Sequence, residues 1–260
     1  MHALNTPTIV FDLDGTLVHT VPDIASALDL ALAPYGCGGT SPAEAATMMG
    51  DGLSEFFWRA LVTKRLALPA LEADAARRAF IAEYRHTPAH LSEVYPGVRE
   101  LLLELRCRGA LTAVCTNKVE SIALDILDAL DLRGLFDAVV GSRDDRPMKP
   151  HPAPVQEAVT QAGGDMSRTL LVGDTGADNG AAIAAQIPLV LLTYGYSHFP
   201  VHSLEHGTIV DDAQGLREAV VGFVSADASR PKATPPFTEF DAEPAREPLG
   251  DFWAPYRFAA

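Results

Sequence analysis

Apolar residues follow two spacings along this chain. Short runs stand at Thr8-Ile9-Val10-Phe11, Leu111 to Thr116, Phe136 to Val140, Thr169 to Gly173 and Pro188 to Leu192, and between them apolar residues recur three or four positions apart. Runs of that length bounded by turn residues predict buried strands, and the wider spacing predicts amphipathic helices. From Tyr95-Pro96-Gly97 the alternation is regular, with helices expected over 98–108, 119–130, 154–162 and 214–224 and a last strand at Thr208-Ile209-Val210. Strands that are apolar on both faces and alternate with helices predict a parallel sheet covered on both sides, a Rossmann-like, doubly wound α/β core.

One segment departs from the alternation. From Pro22 to about Leu91 the chain is rich in Ala and Leu at helical spacing, without a convincing strand. Asp23 to Leu28 begins a helix, Ser41-Pro42-Ala43-Glu44 pairs a capping residue with proline at the first helical position, and 53–66 and 69–84 continue as helices. Following a single strand, this block is read as an insertion into the α/β domain. The expected organisation is a core of residues 1–18 and 95–225, a helical insert at 19–94, and a tail at 226–260 whose prolines and charges predict an extended or partly disordered segment. Six aromatics in that tail, Phe237, Phe240, Phe252, Trp253, Tyr256 and Phe258, point to partial docking.

Composition narrows the classes. A hydrophobic fraction of 48% over 260 residues supports a sizeable core, and no apolar run approaches a membrane span. The first residues carry neither a basic stretch nor an apolar segment, so a soluble, cytoplasmic protein without a signal peptide is expected. Cys37, Cys107 and Cys115 form no CxxC pair, and Cys107 and Cys115 in apolar context are expected to be reduced core filler. A net charge of -14 argues against a general nucleic-acid binder, yet leaves room for a small anionic substrate at a local cluster of lysine and metal.

The most informative feature is Asp12-Leu13-Asp14-Gly15-Thr16 at the end of the first strand. Residues two apart on an extended chain point to one side, so two carboxylates stand together where Gly15 lets the backbone turn. They repel unless a cation or a proton relieves them, and the carboxyl ends of strands in such sheets are where ligands sit. A calcium loop is excluded: counted from Asp12, Leu17 occupies the sixth position where glycine is needed and Asp23 the twelfth where glutamate is needed. A capping Asp next to a turn Asp is the plain alternative.

Three further strand ends carry matching chemistry. Thr116-Asn117-Lys118 offers a hydroxyl, an amide and a cation for a phosphoryl group, although Thr-Asn before a helix is also an ordinary cap. Lys149 stands among Pro147, Pro150 and Pro152, which restrict its loop. Gly173-Asp174-Thr175-Gly176-Ala177-Asp178 follows another apolar run; Asp174 suits a hard divalent cation, and Asp178 suits a supporting role toward Asp174 or Lys149. Each motif alone is ambiguous, but four at successive strand ends in this order are not.

With these residues, over roughly 7–225, the chain resembles the haloacid dehalogenase superfamily. Gly50-Asp51-Gly52, Lys149-Pro150-His151-Pro152 and Tyr194-Gly195-Tyr196 make it similar to the phosphoglycolate phosphatase-like branch, which carries a helical cap after the first strand. The resemblance implies an Mg2+-dependent phosphomonoesterase acting on a small phosphorylated metabolite, with 2-phosphoglycolate a candidate. Asp12 would be the nucleophile, Asp14 the acid and base, and Lys149 the catalytic cation. Asp12, the carbonyl of Asp14 and Asp174 would hold the metal, supported by Asp178. Thr116, Asn117 and Lys118 would bind substrate, and Gly50, Asp51 and Gly52 would form a specificity loop in the cap. His19 departs from the acidic residue usual after Thr16-Leu17-Val18, which leaves its role and the substrate open. Carbon–halogen hydrolysis and a non-enzymatic binding role are the alternatives; Asp14 and Asp174, which dehalogenation does not need, and a complete catalytic set weigh against them. Neither nucleic acid nor a membrane is expected as partner, and the oligomeric state is open.

Overall fold

The computed structural model describes residues 6–50, 52–197, 202 and 207–227. The first strand, β1 (Thr8–Phe11), is followed by β2 (Val18–His19) and four helices: α1 (Val21–Leu32), α2 (Pro42–Ala46), α3 (Leu53–Thr63) and α4 (Ala70–His86). The chain then returns through β3 (Glu93–Val94) to α5 (Val98–Cys107), β4 (Leu111–Val119), α6 (Glu120–Ala129), β5 (Ala138–Ser142) and α7 (Ala153–Ala162). It closes with β6 (Thr169–Gly173), α8 (Gly176–Ala185), β7 (Leu189–Leu192), β8 (Thr208–Val210) and α9 (Ala213–Asp227).

Six strands form a parallel sheet in the order β5-β4-β1-β6-β7-β8. Successive side chains go to opposite faces. Ile9, Phe11, Val114, Leu170 and Val172 join the core that includes α5, α6 and α9, while Val10, Ala113, Cys115 and Leu171 join the one with α7 and α8. With both faces covered, the strands have to be apolar throughout, and this is why they are legible as unbroken runs. From β1 the winding steps outward through β4 to β5, then crosses back to β6 on the other side of β1. That reversal opens a crevice at the carboxyl ends of β1, β4 and β6, the usual ligand site of open α/β sheets.

The ribbon of β2 and β3 connects the sheet and the four helices. Val18 pairs with Val94 and His19 with Glu93, so entry into the helical segment and exit from it lie side by side. Asp23, at the start of α1, ties the exit down by accepting the Leu91 N–H at 2.9 Å and the Ser92 hydroxyl at 2.5 Å. Within the insert Phe56, Phe57 and Phe80 stack at 5.6 and 6.0 Å. Ser41 caps α2 by accepting the Glu44 N–H at 3.1 Å, as the Ser-Pro-x-Glu spacing predicts.

Two details differ from expectation. Cys107 is exposed at the end of α5, because its side of the helix lies away from the apolar stripe of Val98, Leu101, Leu102 and Leu105; only Cys115 is core filler. β4 runs on through Lys118 to Val119, since its pairing with β5 resumes beyond a bulge at Val119 and Ser142. The aromatic tail at 228–260 lies outside the described residues. Among the described residues no helix is long and apolar enough to cross a membrane.

Candidate active site

Asp12 directly follows β1, and its N–H still pairs with the Val172 carbonyl of β6 at 2.9 Å. One carboxylate oxygen accepts the Leu13 N–H at 2.7 Å and lies 3.0 Å from the Lys149 ammonium. Burial pushes the Asp12 carboxyl up to about 6; Lys149 pulls against this, and the charges of Asp178 and Asp14 add to it.

Lys149 is held from three sides. Its ammonium donates to the Cys115 carbonyl at 2.7 Å and to Asp178 at 2.6 Å, and it faces Asp12. Burial works against the charge, but Asp12 and Asp178 overcome it, so the ammonium stays protonated above its ordinary range. Asn117 fixes the backbone beneath: its side-chain amide donates to the Lys149 carbonyl and its side-chain oxygen accepts the Lys149 N–H, both at 2.9 Å.

Asp174 follows β6 and is fully buried. Thr16 donates its hydroxyl to one oxygen at 2.8 Å, and the Tyr196 N–H donates to the other at 2.6 Å. Burial, then Asp12 and Asp178, raise its carboxyl well above the ordinary range. The surrounding backbone must come close: a Cβ on Gly15, whose φ is +81°, would stand 2.3 Å from an Asp174 oxygen, and one on Gly195 would stand 2.2 Å away. Asp12, Asp174 and Asp178 can each bring a carboxylate oxygen within 4.8 Å of the others'. Asp178, however, is already engaged with Lys149 and with Thr175, whose N–H and hydroxyl it accepts at 3.1 and 2.7 Å in the capping box of α8. It is helix cap and lysine partner at once.

Asp14 turns away from this cluster. One oxygen of its side chain pairs with the Lys118 ammonium at 2.6 Å and accepts the Thr20 hydroxyl. Lys118 is buried, 4.9 Å from the ring centre of Tyr84 on α4.

Asp12 and Asp14 open onto a cavity of about 40 Å³, room for roughly three water-sized groups. Asp12, Asp14, Thr116, Asn117, Lys118, Thr175 and Tyr196 line its sheet side, and Met49, Gly50, Gly52, Leu53 and Phe56 line the side formed by the helical insert. Asp51 lies outside the described residues. His19 does not line the cavity; half-buried, its Nδ1 lies 2.7 Å from the Tyr196 hydroxyl and 3.4 Å from that of Tyr95, linking the β2–β3 ribbon to the loop that holds Asp174. Thr16 and Tyr196 carry functional contacts that motif reading leaves without a role. Both lie inside recognisable signatures, but a backbone N–H donor has no side-chain trace in sequence.

A doubly wound sheet with buried carboxylates and a lysine at its switch point, closed over by a helical insert, defines a hydrolase of the capped α/β type. The profile of the haloacid dehalogenase-like hydrolase family matches residues 9–192, and the chain belongs to that family. It is 38% identical over 200 residues to the phosphoglycolate phosphatase of Cereibacter sphaeroides, an alignment covering 77% of this chain and 91% of that protein. It is 34% identical over 226 residues to the phosphoglycolate phosphatase of Caulobacter vibrioides, covering 87% and 95%. Among solved structures, a predicted phosphoglycolate phosphatase from Haemophilus somnus superposes with a TM-score of 0.77 at 31% identity, over 83% of this chain and 98% of that one.

Proposed function

We propose that the chain is an Mg2+-dependent phosphomonoesterase whose substrate is 2-phosphoglycolate. The observation that carries the reading is the cluster of three buried carboxylates, Asp12, Asp174 and Asp178, with one buried ammonium, Lys149, paired to Asp12 and Asp178 at the sheet's switch point. Relatives named phosphoglycolate phosphatase at 34–38% identity support the substrate.

The donor set fits magnesium. The ion prefers one or two carboxylates and keeps several waters. Asp12, Asp174 and the main-chain oxygen of Asp14 would meet that need, Thr16 and the Tyr196 N–H orient Asp174, and burial, joined at Asp174 by the charge of Asp12, disfavours both carboxylates in a way that a dication relieves. When bound, the ion supplies charge neutralisation for the nucleophile and the phosphoryl oxygens.

The chain's own residues perform the transfer. Lys149 and the Leu13 N–H fix one oxygen of Asp12, leaving the other to attack phosphorus. As the Asp12–phosphorus bond forms and the ester bond breaks, Asp14 gives its proton to the departing alkoxide. Asp14 then takes a proton from water, whose oxygen attacks phosphorus, breaks the aspartyl-phosphate and releases phosphate. Thr116, on the cavity wall beside Asp12, is placed to bind a phosphoryl oxygen. Asn117 has its side chain committed to Lys149 and acts by holding that loop. The helices α1–α4 act as a cap that excludes water.

Phosphate release is to be measured from 2-phosphoglycolate, sugar phosphates and nucleotides, with magnesium and with chelator. The expected result is metal-dependent release with the highest kcat/KM for 2-phosphoglycolate; no release from any ester overturns the reading.

A further inference from the structure

Lys118 is paired with Asp14 rather than with the nucleophile. Lys149 already serves the nucleophile, whereas the Lys118 ammonium sits 2.6 Å from Asp14, the residue that meets the leaving oxygen. Lys118 is also the one Lys, Arg or His among the described residues lining the cavity, and the wall opposite is apolar Met49, Leu53 and Phe56. An ammonium has three N–H donors. One is spent on Asp14, and the Tyr84 ring at 4.9 Å attracts the charge without offering a lone pair. A buried ammonium with donors to spare calls for an anion to complete it.

We propose that Lys118 determines specificity by binding a carboxylate on the leaving group, so that the enzyme selects phosphomonoesters bearing that carboxylate one carbon from the ester oxygen. This rests on the phosphatase reading above. Once the ester oxygen meets Asp14, a carboxylate one methylene away lies within reach of Lys118, whereas a distant anion, as on a longer sugar phosphate, does not. Lys118 is pinned between Asp14 at the end of β1 and Tyr84 of α4, so both parts of the chain build this subsite. A neutral leaving group leaves the ammonium's donors unpaired, and sites built around a buried polar partner reject analogues lacking it.

The test compares kcat/KM for 2-phosphoglycolate and for 2-hydroxyethyl phosphate, its neutral analogue of equal length, in the wild type, Lys118→Met and Lys118→Arg with magnesium present. The wild type is expected to prefer the carboxylate ester by about 100-fold or more. Lys118→Met brings the ratio near one, chiefly through KM for 2-phosphoglycolate, and Lys118→Arg restores part of it. Any loss transmitted through Asp14 affects both esters and cancels in the ratio. An unchanged ratio in Lys118→Met overturns the proposal, as does a wild-type ratio near one, which needs no variant to fold. Phosphate release from both esters at equal kcat/KM overturns this proposal alone; release from neither overturns the 2-phosphoglycolate assignment with it.

Discussion

Asn117 and Lys149 hold each other through a reciprocal pair of hydrogen bonds, side chain to main chain, both 2.9 Å long. The pair joins the end of β4 to the loop carrying the buried ammonium, so the position of Lys149 depends on a residue that does not touch Asp12. Asn117→Ala leaves two partly buried backbone groups of Lys149 without partners and frees the loop. A fall in kcat of about 10- to 100-fold with little change in KM is expected from steady-state kinetics, the range typical of losing a supporting contact. An unchanged kcat would show that Pro147, Pro150 and Pro152 hold the loop unaided.

Gly195 leaves room for Asp174. An alanine Cβ there would stand 2.2 Å from a carboxylate oxygen of Asp174 and force it to move. In Gly195→Ala the magnesium concentration for half-maximal activity is expected to rise at least about tenfold, with activity partly regained at high magnesium. Titration of activity against free magnesium checks this; a wild-type curve contradicts the placement of Asp174 at the metal.

Tyr84 has a buried hydroxyl without a hydrogen-bond partner among the described residues, and its ring lies against Lys118. Tyr84→Phe removes the unpaired group and keeps the ring. Thermal unfolding is therefore expected to show no loss of stability and a gain of up to about 1 kcal/mol, with activity retained. Tyr84→Leu, which removes the ring, is expected to raise KM for 2-phosphoglycolate. Marked destabilisation of the Phe variant contradicts the absence of a partner.

Much of this arrangement is legible in sequence because it lies at strand ends. Strands buried on both faces announce themselves as apolar runs, and Asp12 and Asp174 mark where two of them stop, whereas Thr116 stands within β4, which continues to Val119. The β2–β3 ribbon is not legible, since Val18–His19 and Glu93–Val94 are too short for any periodicity. Nor are the partners of Asn117 and Lys118. Both look like phosphate ligands in a Thr-Asn-Lys motif, yet one turns to the backbone of Lys149 and the other to Asp14, contacts set by tertiary packing across 32 and 104 residues. Thr16 and the Tyr196 N–H reach Asp174 over similarly long separations.

The Asp12 carboxyl, raised from its ordinary 3.8 to about 6 by burial, binds its proton more tightly in the folded, metal-free protein than in the unfolded chain. Its contribution to stability is full below about pH 4 and lost as the pH rises through 6. With chelator present, Asp12→Asn is therefore expected to melt progressively higher than wild type as the pH rises from 4 to 7. Magnesium should narrow that gap by favouring the ionised wild type. Differential scanning calorimetry at several pH values checks the slope; a difference that is flat with pH contradicts it.

Asp12 is the residue on which the chemistry depends, and its replacement is the most direct measurement. With magnesium and 2-phosphoglycolate, Asp12→Asn keeps the shape of the site and removes the nucleophile. The expected result is a loss of kcat of at least about 1000-fold, some 4 kcal/mol in the barrier, in a protein that remains folded. Turnover by Asp12→Asn at the wild-type rate would contradict the assignment of the nucleophile and, with it, the aspartyl-phosphate mechanism.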